Sequence, residues 1–249
     1  MAGPLDFGVQ SYCFREFRDN ADVAKKVRQI GVDKLEICGV HANFDKPEAF
    51  GDVVKIYKDA GVSIVSLGVQ TFVGDASEEN WFKCAQIAGA KHISAHFRVD
   101  SFHTAVPATA ALCKKYGIRV GIHCHGGYMF GGSPDVLDHL IKLGGGEIGL
   151  NIDTAWAMQI GPNQGNPVQW AEKYAGKIFG IHYKDFIFDK NAKWHDVVVG
   201  TGNLDLPAFV AALKKGNFDG MAVIEYEAEA SNPVPALTEC VNKMRAIAV

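Results

Sequence analysis

The residues best suited to chemistry in this sequence stand where short apolar runs end. Between residues 117 and 127 the sequence reads GIRVGIHCHGG, an apolar run followed by His123, His125 and two glycines. A strand alternates its side chains, so two histidines one residue apart point to the same face. The glycines allow the chain to turn away sharply. We therefore interpret this stretch as a strand that presents imidazole groups at its C-terminal end.

Carboxylates, imidazoles and an amine end other apolar runs in the same way. Burying such charges at one place costs several kcal/mol each unless they pair or bind a metal. A set of Asp, Glu and His side chains suits one divalent ion such as Mn, Co, Zn or Fe, whereas Mg is less favoured because imidazole is a borderline ligand. The polar residues at the predicted strand ends are Glu36, His96, His123, His125, Asp153, His182, Lys184, Asp185, Glu225 and Glu227.

The elements that must position these residues alternate along the chain. Short, nearly continuous apolar runs are typical of strands buried on both faces, and each is followed by apolar residues at helical spacing. The strand ends recur about every 30 residues, which is the length of one parallel βα unit. Strands are predicted at residues 5–12, 34–38, 62–69, 93–97, 117–127, 148–152, 178–183 and 221–226.

Serine, proline and glycine mark the ends of the predicted helices. Ser77 and Ser133 are predicted N-caps, because their hydroxyls can accept a backbone N–H, and Pro134 fits the first turn. The irregular insertions at residues 39–46 and 185–205 are expected to wall an active site. Helices are predicted at residues 19–30, 47–60, 78–88, 104–116, 134–143, 167–174, 206–215 and 233–247.

Eight such units in 249 residues predict a (β/α)8 TIM barrel that forms one domain over residues 1–249. The alternative is a doubly wound open sheet, which usually carries a glycine-rich phosphate loop after its first strand. The segment at that place, QSYCFREF, contains no glycine. We therefore favour the barrel, whose active site lies at the carboxyl ends of the strands.

Composition limits the classes of function. The chain is 48% hydrophobic and 21% charged, with a formal net charge of -3 and no basic block, so nucleic-acid binding is not favoured. No apolar run approaches the roughly 20 residues of a membrane span, and the N-terminus lacks the features of a signal peptide. Six scattered cysteines without a CxxC pair indicate reduced thiols. We expect a cytoplasmic protein that binds a small molecule, with neither nucleic acid nor membrane as partner and homo-oligomer formation left open.

Several of these side chains have a structural interpretation as well as a functional one. For His96, substrate contact and structural hydrogen bonding are equally favoured, and Glu227 fits a solvated loop. A lone histidine is usually only hydrogen-bonded, which is the interpretation preferred for His41, His92, His103, His139 and His195. Aromatic residues near strand ends either belong to the core or form an apolar wall for a sugar ring; these are Tyr12, Phe14, Trp156 and Phe186.

The order and spacing of several segments resemble the sugar phosphate isomerase/epimerase group of xylose isomerase-like TIM barrels. That superfamily includes ketose 3-epimerases, inosose dehydratase, dehydroshikimate dehydratase and an apurinic endonuclease. None of the segments is specific alone. They are FGVQSYCFR, KLEI, ISAHF, GIHCHGG, NIDTAW, GIHYKDF, GTGNLD and VIEYE.

The resemblance implies a metal bound by Asp153, His182 and Glu225 at the ends of their strands. The fourth ligand position, a Glu on strand five of the epimerases, is His123 here, and the neighbouring His125 is an alternative ligand. The resemblance also implies that His125 contacts substrate, as in the dehydratase relatives. By the same resemblance, Glu36 matches a substrate-binding acid on strand two. Trp156 stands three residues after Asp153, where the epimerases have a His, and it is also expected to contact the substrate.

The chemistry expected from this set is proton abstraction beside a carbonyl that the metal polarises. Glu225 is the expected base, and His125 and Lys184 are expected to move protons or hold developing negative charge. The resemblance implies that ketose epimerases use two glutamates, one on each face of the substrate. This chain keeps only Glu225 of that pair. The missing second glutamate favours a dehydratase or lyase, whereas the family resemblance favours an isomerase or epimerase acting on a sugar, a sugar phosphate or a cyclitol. Of these two, the isomerase or epimerase is preferred by a narrow margin.

Two other classes are weaker alternatives. A phosphodiesterase like the apurinic endonucleases needs a larger metal cluster and a basic face, whereas this chain is acidic overall. A non-catalytic barrel that binds a sugar would be marked by loss of the metal ligands, and the ligand set looks intact. Metal content of the purified protein distinguishes this last class from the enzymes.

Overall fold

The structure is a computed structural model, and it describes residues 3–126 and 130–247. Its strands are β1 (Gly8–Gln10), β2 (Lys34–Ile37), β3 (Ser63–Phe72), β4 (His92–Phe97), β5 (Arg119–His123), β6 (Ile148–Asp153), β7 (Ile178–Tyr183), β8 (Asp185–Phe188), β9 (Trp194–Val197) and β10 (Met221–Ile224). Eight of these run parallel and close into a barrel in the order β1-β10-β7-β6-β5-β4-β3-β2. The predicted TIM barrel is thereby confirmed. Gly127, at the end of the predicted fifth strand, lies outside the described residues.

Helices alternate with the barrel strands and surround them. They are α1 (Asn20–Gln29), α2 (Pro47–Asp59), α3 (Glu79–Ala88), α4 (Phe102–Tyr116), α5 (Pro134–Leu143), α6 (Thr154–Gln159), α7 (Pro167–Lys173), α8 (Leu206–Lys215) and α9 (Val234–Arg245). The short helix α6, which starts directly at the end of β6, was not predicted. Among the described residues, no helix is long and apolar enough to cross a membrane.

The start of α5 shows how local sequence sets an element. The Ser133 hydroxyl accepts a hydrogen bond from the backbone N–H of Val136 at 3.5 Å, and Pro134 occupies the first turn, as predicted. Leu137, Leu140 and Ile141 are spaced three and four residues apart and are buried. The helix therefore lays one apolar face against the barrel.

The predicted cap at Ser77 is wrong. Asp75 lies two residues earlier, and its carboxylate accepts the backbone N–H of Ser77 at 2.8 Å. This contact starts a 3-10 turn at Ala76–Glu78, which leads into α3. An aspartate side chain accepts a backbone N–H two residues further on more strongly than a serine hydroxyl does, which explains why Asp75 starts the turn.

Residues 185–205, predicted as an irregular insertion, contain an antiparallel hairpin of β8 and β9. The loop after it is organised by Asp185. The carboxylate of this residue accepts backbone N–H groups of Gly200, Gly202 and Leu204 at 2.9–3.0 Å. A strand-end acid that seemed available for chemistry is therefore engaged in holding the loop.

Candidate metal centre

Four side chains from the ends of neighbouring strands meet at one place. His123, Asp153 and His182 lie at the carboxyl ends of β5, β6 and β7, and Glu225 directly follows β10. The carboxyl ends of barrel strands share one rim, which brings the four together. One potential ligand atom from each residue lies within 4.8 Å of the others, and all four residues are buried.

Asp153 is oriented by the helix that follows it. Its Oδ1 accepts the backbone N–H groups of Ala155 and Trp156 at 3.0 and 2.9 Å and so caps α6. Its Oδ2 has no hydrogen-bond partner among the described residues and lies 3.5 Å from His123 Nε2. Burial raises the pKa of this carboxyl group. A buried oxygen without a donor is costly, so this atom fits a metal ligand.

His123 offers the cluster a neutral imidazole. Burial lowers its pKa to about 3, so the ring carries no charge near pH 7. Within residues 3–126 and 130–247 neither ring nitrogen has a hydrogen-bond partner. Nε2 faces Asp153 Oδ2 at 3.5 Å and Glu225 Oε2 at 4.0 Å. A neutral imidazole with an unused lone pair fits a divalent transition ion.

His182 lies between two carboxylates. Its Nδ1 is 3.0 Å from Glu225 Oε2, and its Nε2 is 2.8 Å from Glu36 Oε1. Burial disfavours a charge on the ring, but Glu36 and Glu225 outweigh it and raise the pKa of His182 to about 10. A metal bound at Nδ1 would take the place of the proton shared with Glu225.

The Lys184 ammonium lies beside the cluster and is 1% exposed. It pairs with Glu227 and lies 3.5 Å from Asp196 Oδ2 and 4.0 Å from Glu225 Oε2. Burial opposes the charge, yet Glu225 and its acidic neighbours raise the pKa of Lys184. Burial also opposes ionisation of Glu225, but Lys184 and His182 hold its pKa well below the usual range. The pair is therefore ionised.

Sequence reasoning missed two residues that the β8–β9 hairpin brings to the site. Asp196 accepts the backbone N–H of Glu227 at 2.8 Å in addition to approaching Lys184. The Trp194 ring lies 5.3 Å from that of Trp156. The signal in the sequence for these two residues was a pair of short segments, 185–188 and 194–197, that pair across a turn. Glu227 is consequently an ion-pair partner of Lys184 and not merely a solvated loop residue.

Three predicted side chains form one wall beside the cluster. The His125 and Trp156 rings stack with centroids 3.9 Å apart and planes inclined by 22°. The His96 ring lies 5.1 Å from that of His123 and 6.1 Å from that of His125. Burial lowers the pKa of His96 to about 3, which leaves its ring neutral. Contact of this wall with a substrate stays a prediction.

The remaining predicted substrate contacts lie at different depths. Tyr12 is 37% exposed, with the Arg15 guanidinium 4.9 Å from its ring centroid. Phe14 and Phe186 are buried, and Phe14 packs within the hydrophobic core, so the structural interpretation holds for it. Glu36 is 0% exposed and lies behind His182 instead of at the open mouth. Both side chains are enclosed by other side chains, which favours a structural role for them over direct substrate contact.

The barrel matches a described protein family over most of its length. The family model described as xylose isomerase-like TIM barrel matches residues 24–247. The chain belongs to this family. The resemblance found in the sequence is thereby confirmed. No curated protein matches the chain.

Solved structures with a similar fold include several enzymes. The probable 3-DHS dehydratase AsbF from Bacillus anthracis is 14% identical, with a TM-score of 0.73 over 96% of this chain and 98% of that one. The 3-keto-D-glucoside 4-epimerase YcjR from E. coli is 16% identical, with a TM-score of 0.73 over 96% and 98%. An L-ribulose 3-epimerase is 14% identical, with a TM-score of 0.68 over 96% and 95%. At these identities the likeness shows the shared fold.

Proposed function

We propose that this protein is a divalent-metal-dependent isomerase or epimerase that acts on a sugar, a sugar phosphate or a cyclitol carbonyl compound. The observation that carries the proposal is the buried cluster of His123, Asp153, His182 and Glu225, whose potential ligand atoms lie within 4.8 Å of one another. The mixture of imidazole and carboxylate suits Mn, Co, Zn or Fe better than Mg. The similar folds of two epimerases and a dehydratase support chemistry beside a carbonyl.

The chemistry that a bound divalent ion supplies is polarisation of a carbonyl, which acidifies the neighbouring C–H bond. Glu225 is the proposed base, and Lys184 and His182 keep it ionised as a base requires. His125, which is half-buried and stacked on Trp156, is the proposed group that exchanges protons with a substrate at the mouth. The Lys184 ammonium would hold negative charge that develops on a substrate oxygen.

A dehydratase or lyase is the second candidate, and the end of β5 favours it. His123 stands where a ketose epimerase carries its second carboxylate, so the cluster offers Glu225 and Asp153 as its only acids. Asp153 already uses one oxygen to cap α6. One carboxylate base with an ammonium 4.0 Å away can remove a proton and then protonate a leaving hydroxyl group.

The Lys184→Met variant distinguishes these two reactions. A dehydratase that lacks its acid should still exchange the substrate proton with solvent but release no dehydrated product. An epimerase in which Lys184 only holds charge should lose exchange and product formation together. Proton NMR in D2O follows both events in one sample.

We also propose that residues 1–249 form one domain that acts in the cytoplasm on a small molecule, without nucleic-acid or membrane partners. The cysteines of the described residues are all unpaired and buried, which fits a reducing compartment. The mouth of a barrel, walled by the loops that follow the strand ends, suits a small substrate.

The experiment that tests the proposed function is solvent exchange in D2O with a panel of ketoses, keto-sugars and inososes. Metal-loaded protein should remove the proton signal next to the carbonyl of at least one compound, and EDTA should abolish this loss. Equal exchange with and without EDTA would contradict metal dependence. No exchange of any compound by protein that holds its metal would contradict the proposed reaction.

A further inference from the structure

Beneath the cluster, inside the barrel, Glu36 is surrounded by four side-chain donors. Gln10 Nε2 and His182 Nε2 approach its Oε1 at 2.6 and 2.8 Å. Ser66 Oγ and Ser94 Oγ approach its Oε2 at 2.5 and 2.6 Å. An ionised carboxylate can only accept hydrogen bonds, so all four groups donate to it. Glu36 is thus a buried anion, each of whose two oxygens accepts hydrogen bonds from two side chains.

This anion determines which nitrogen of His182 carries a proton. Nε2 faces a carboxylate oxygen at 2.8 Å and must donate, because that oxygen cannot. Nδ1 is then the nitrogen that can offer a lone pair. It points into the cluster, 3.0 Å from Glu225 Oε2. A histidine that donates one N–H to a carboxylate while its other nitrogen binds a metal has its tautomer and ring orientation fixed.

The neighbouring strands leave the Glu36 carboxylate little freedom to move. Ser66 donates its proton to Glu36, so its oxygen accepts from His92 Nδ1 at 2.9 Å. The absence of a side chain at Gly68 leaves space for Ser94 and for the Glu36 carboxylate. A Cβ at this position would lie 2.6 Å from Ser94 Cβ and 3.2 Å from Glu36 Oε1. Glu36 on β2, which contacts His182, is therefore itself held by side chains of β3 and β4.

We propose that Glu36 is a positioning residue that holds the Nε2–H of His182 and turns Nδ1 toward the metal. The inference rests on the proposed metal site and gives Glu36 this role in place of direct substrate contact. Loss of such an outer partner typically weakens metal binding about 10–100-fold. The same loss is expected for Glu36→Gln, which keeps the shape and removes the charge.

The test is a titration of metal-free protein with Zn²⁺ for the wild type, Glu36→Gln and Glu36→Asp. Glu78→Gln is the matched control, since Glu78 is also buried but accepts backbone N–H groups of Val73 and Gly74. Glu36→Gln should raise the Kd for Zn²⁺ about 10–100-fold. Glu36→Asp keeps the charge and should restore part of the affinity, and Glu78→Gln should bind like the wild type.

A second readout does not depend on how well the variants fold. In Zn²⁺-loaded wild type with uniform ¹⁵N and ¹³C labels, His182 should show a metal-bound Nδ1 and a protonated Nε2, with its ring signals assigned through its own backbone resonances. A metal-bound Nε2 would overturn the inference. A folded Glu36→Gln variant that binds Zn²⁺ as tightly as the wild type would also overturn the inference. A wild type that binds no Zn²⁺ would overturn the metal site as well, which keeps the two failures distinguishable.

Discussion

His123 and His125 are two residues apart at the end of β5, yet their rings meet different neighbours. His123 Nε2 faces two carboxylate oxygens at 3.5 and 4.0 Å. His125 stacks on Trp156 with ring centroids 3.9 Å apart. The sequence left open which of the two is the ligand on this strand, and the geometry supports His123. The role of each remains a prediction that a matched pair of variants can test.

We predict that His123→Ala loses most of its affinity for Mn²⁺ or Zn²⁺, because a neutral ligand disappears and Asp153 and Glu225 are left facing each other. His125→Ala should keep wild-type affinity and lose turnover. Calorimetric titration of both variants measures the difference. If His125→Ala loses the metal and His123→Ala keeps it, the two assignments are reversed.

Glu225 is the residue whose basicity should matter most for the rate. Glu225→Gln keeps the shape and removes the basicity, and a general base is typically worth about 10²–10⁴-fold in rate. We predict a loss of that order in kcat with little change in KM, provided that the metal content of the same sample is unchanged. Glu78→Gln serves as the control for a buried glutamate outside the site. Full activity of metal-loaded Glu225→Gln would move the base to His125.

At the scale of elements, glycines in the strands make room for polar side chains inside the barrel. A Cβ at Gly180 on β7 would lie 2.8 Å from the His92 ring, next to Asn151. Forcing extra atoms into a packed interior costs typically about 1–3 kcal/mol. We predict that Gly180→Ala lowers the free energy of unfolding by this amount, measured by urea denaturation.

The control for this prediction is Gly51→Ala in α2. A Cβ at Gly51 would meet nothing within 4 Å, and alanine is favoured over glycine inside a helix by roughly 0.5–1 kcal/mol. Gly51→Ala should therefore leave stability equal or higher. A Gly180→Ala protein as stable as the wild type would show that the interior relaxes around the added methyl group.

The elements that could not be predicted are those whose signal in the sequence is not local. Apolar strands followed by helical spacing are local signals, so the barrel strands and most helices could be predicted. The hairpin of β8 and β9 depends on pairing between two segments of four residues each, whose alternation is too short to stand out. Asp196 and Trp194 reach the site through that pairing.

At the scale of the whole molecule, the candidate site could be predicted as a coincidence of strand ends. Asp153, His182 and Glu225 each follow an apolar run in successive units, and closure of a parallel barrel brings such ends to one rim. The depth of each polar side chain along the barrel axis could not be predicted. Glu36 ends its strand in the same way, yet it lies behind His182 because Gln10, Ser66 and Ser94 supply donors there. Polar alternation of His92, Ser94 and His96 along β4 was the available signal for this polar interior.

Four residues at the ends of different strands, His123, Asp153, His182 and Glu225, are proposed to hold one divalent ion. The most direct measurement is the metal content per chain, by mass spectrometry, of wild-type and His182→Ala protein after loading and dialysis. Wild-type protein should retain one ion per chain, and His182→Ala should lose most of it, since the ion then loses one of its four ligands. Wild-type metal content in folded His182→Ala, or a wild type that retains no ion, would contradict the claim.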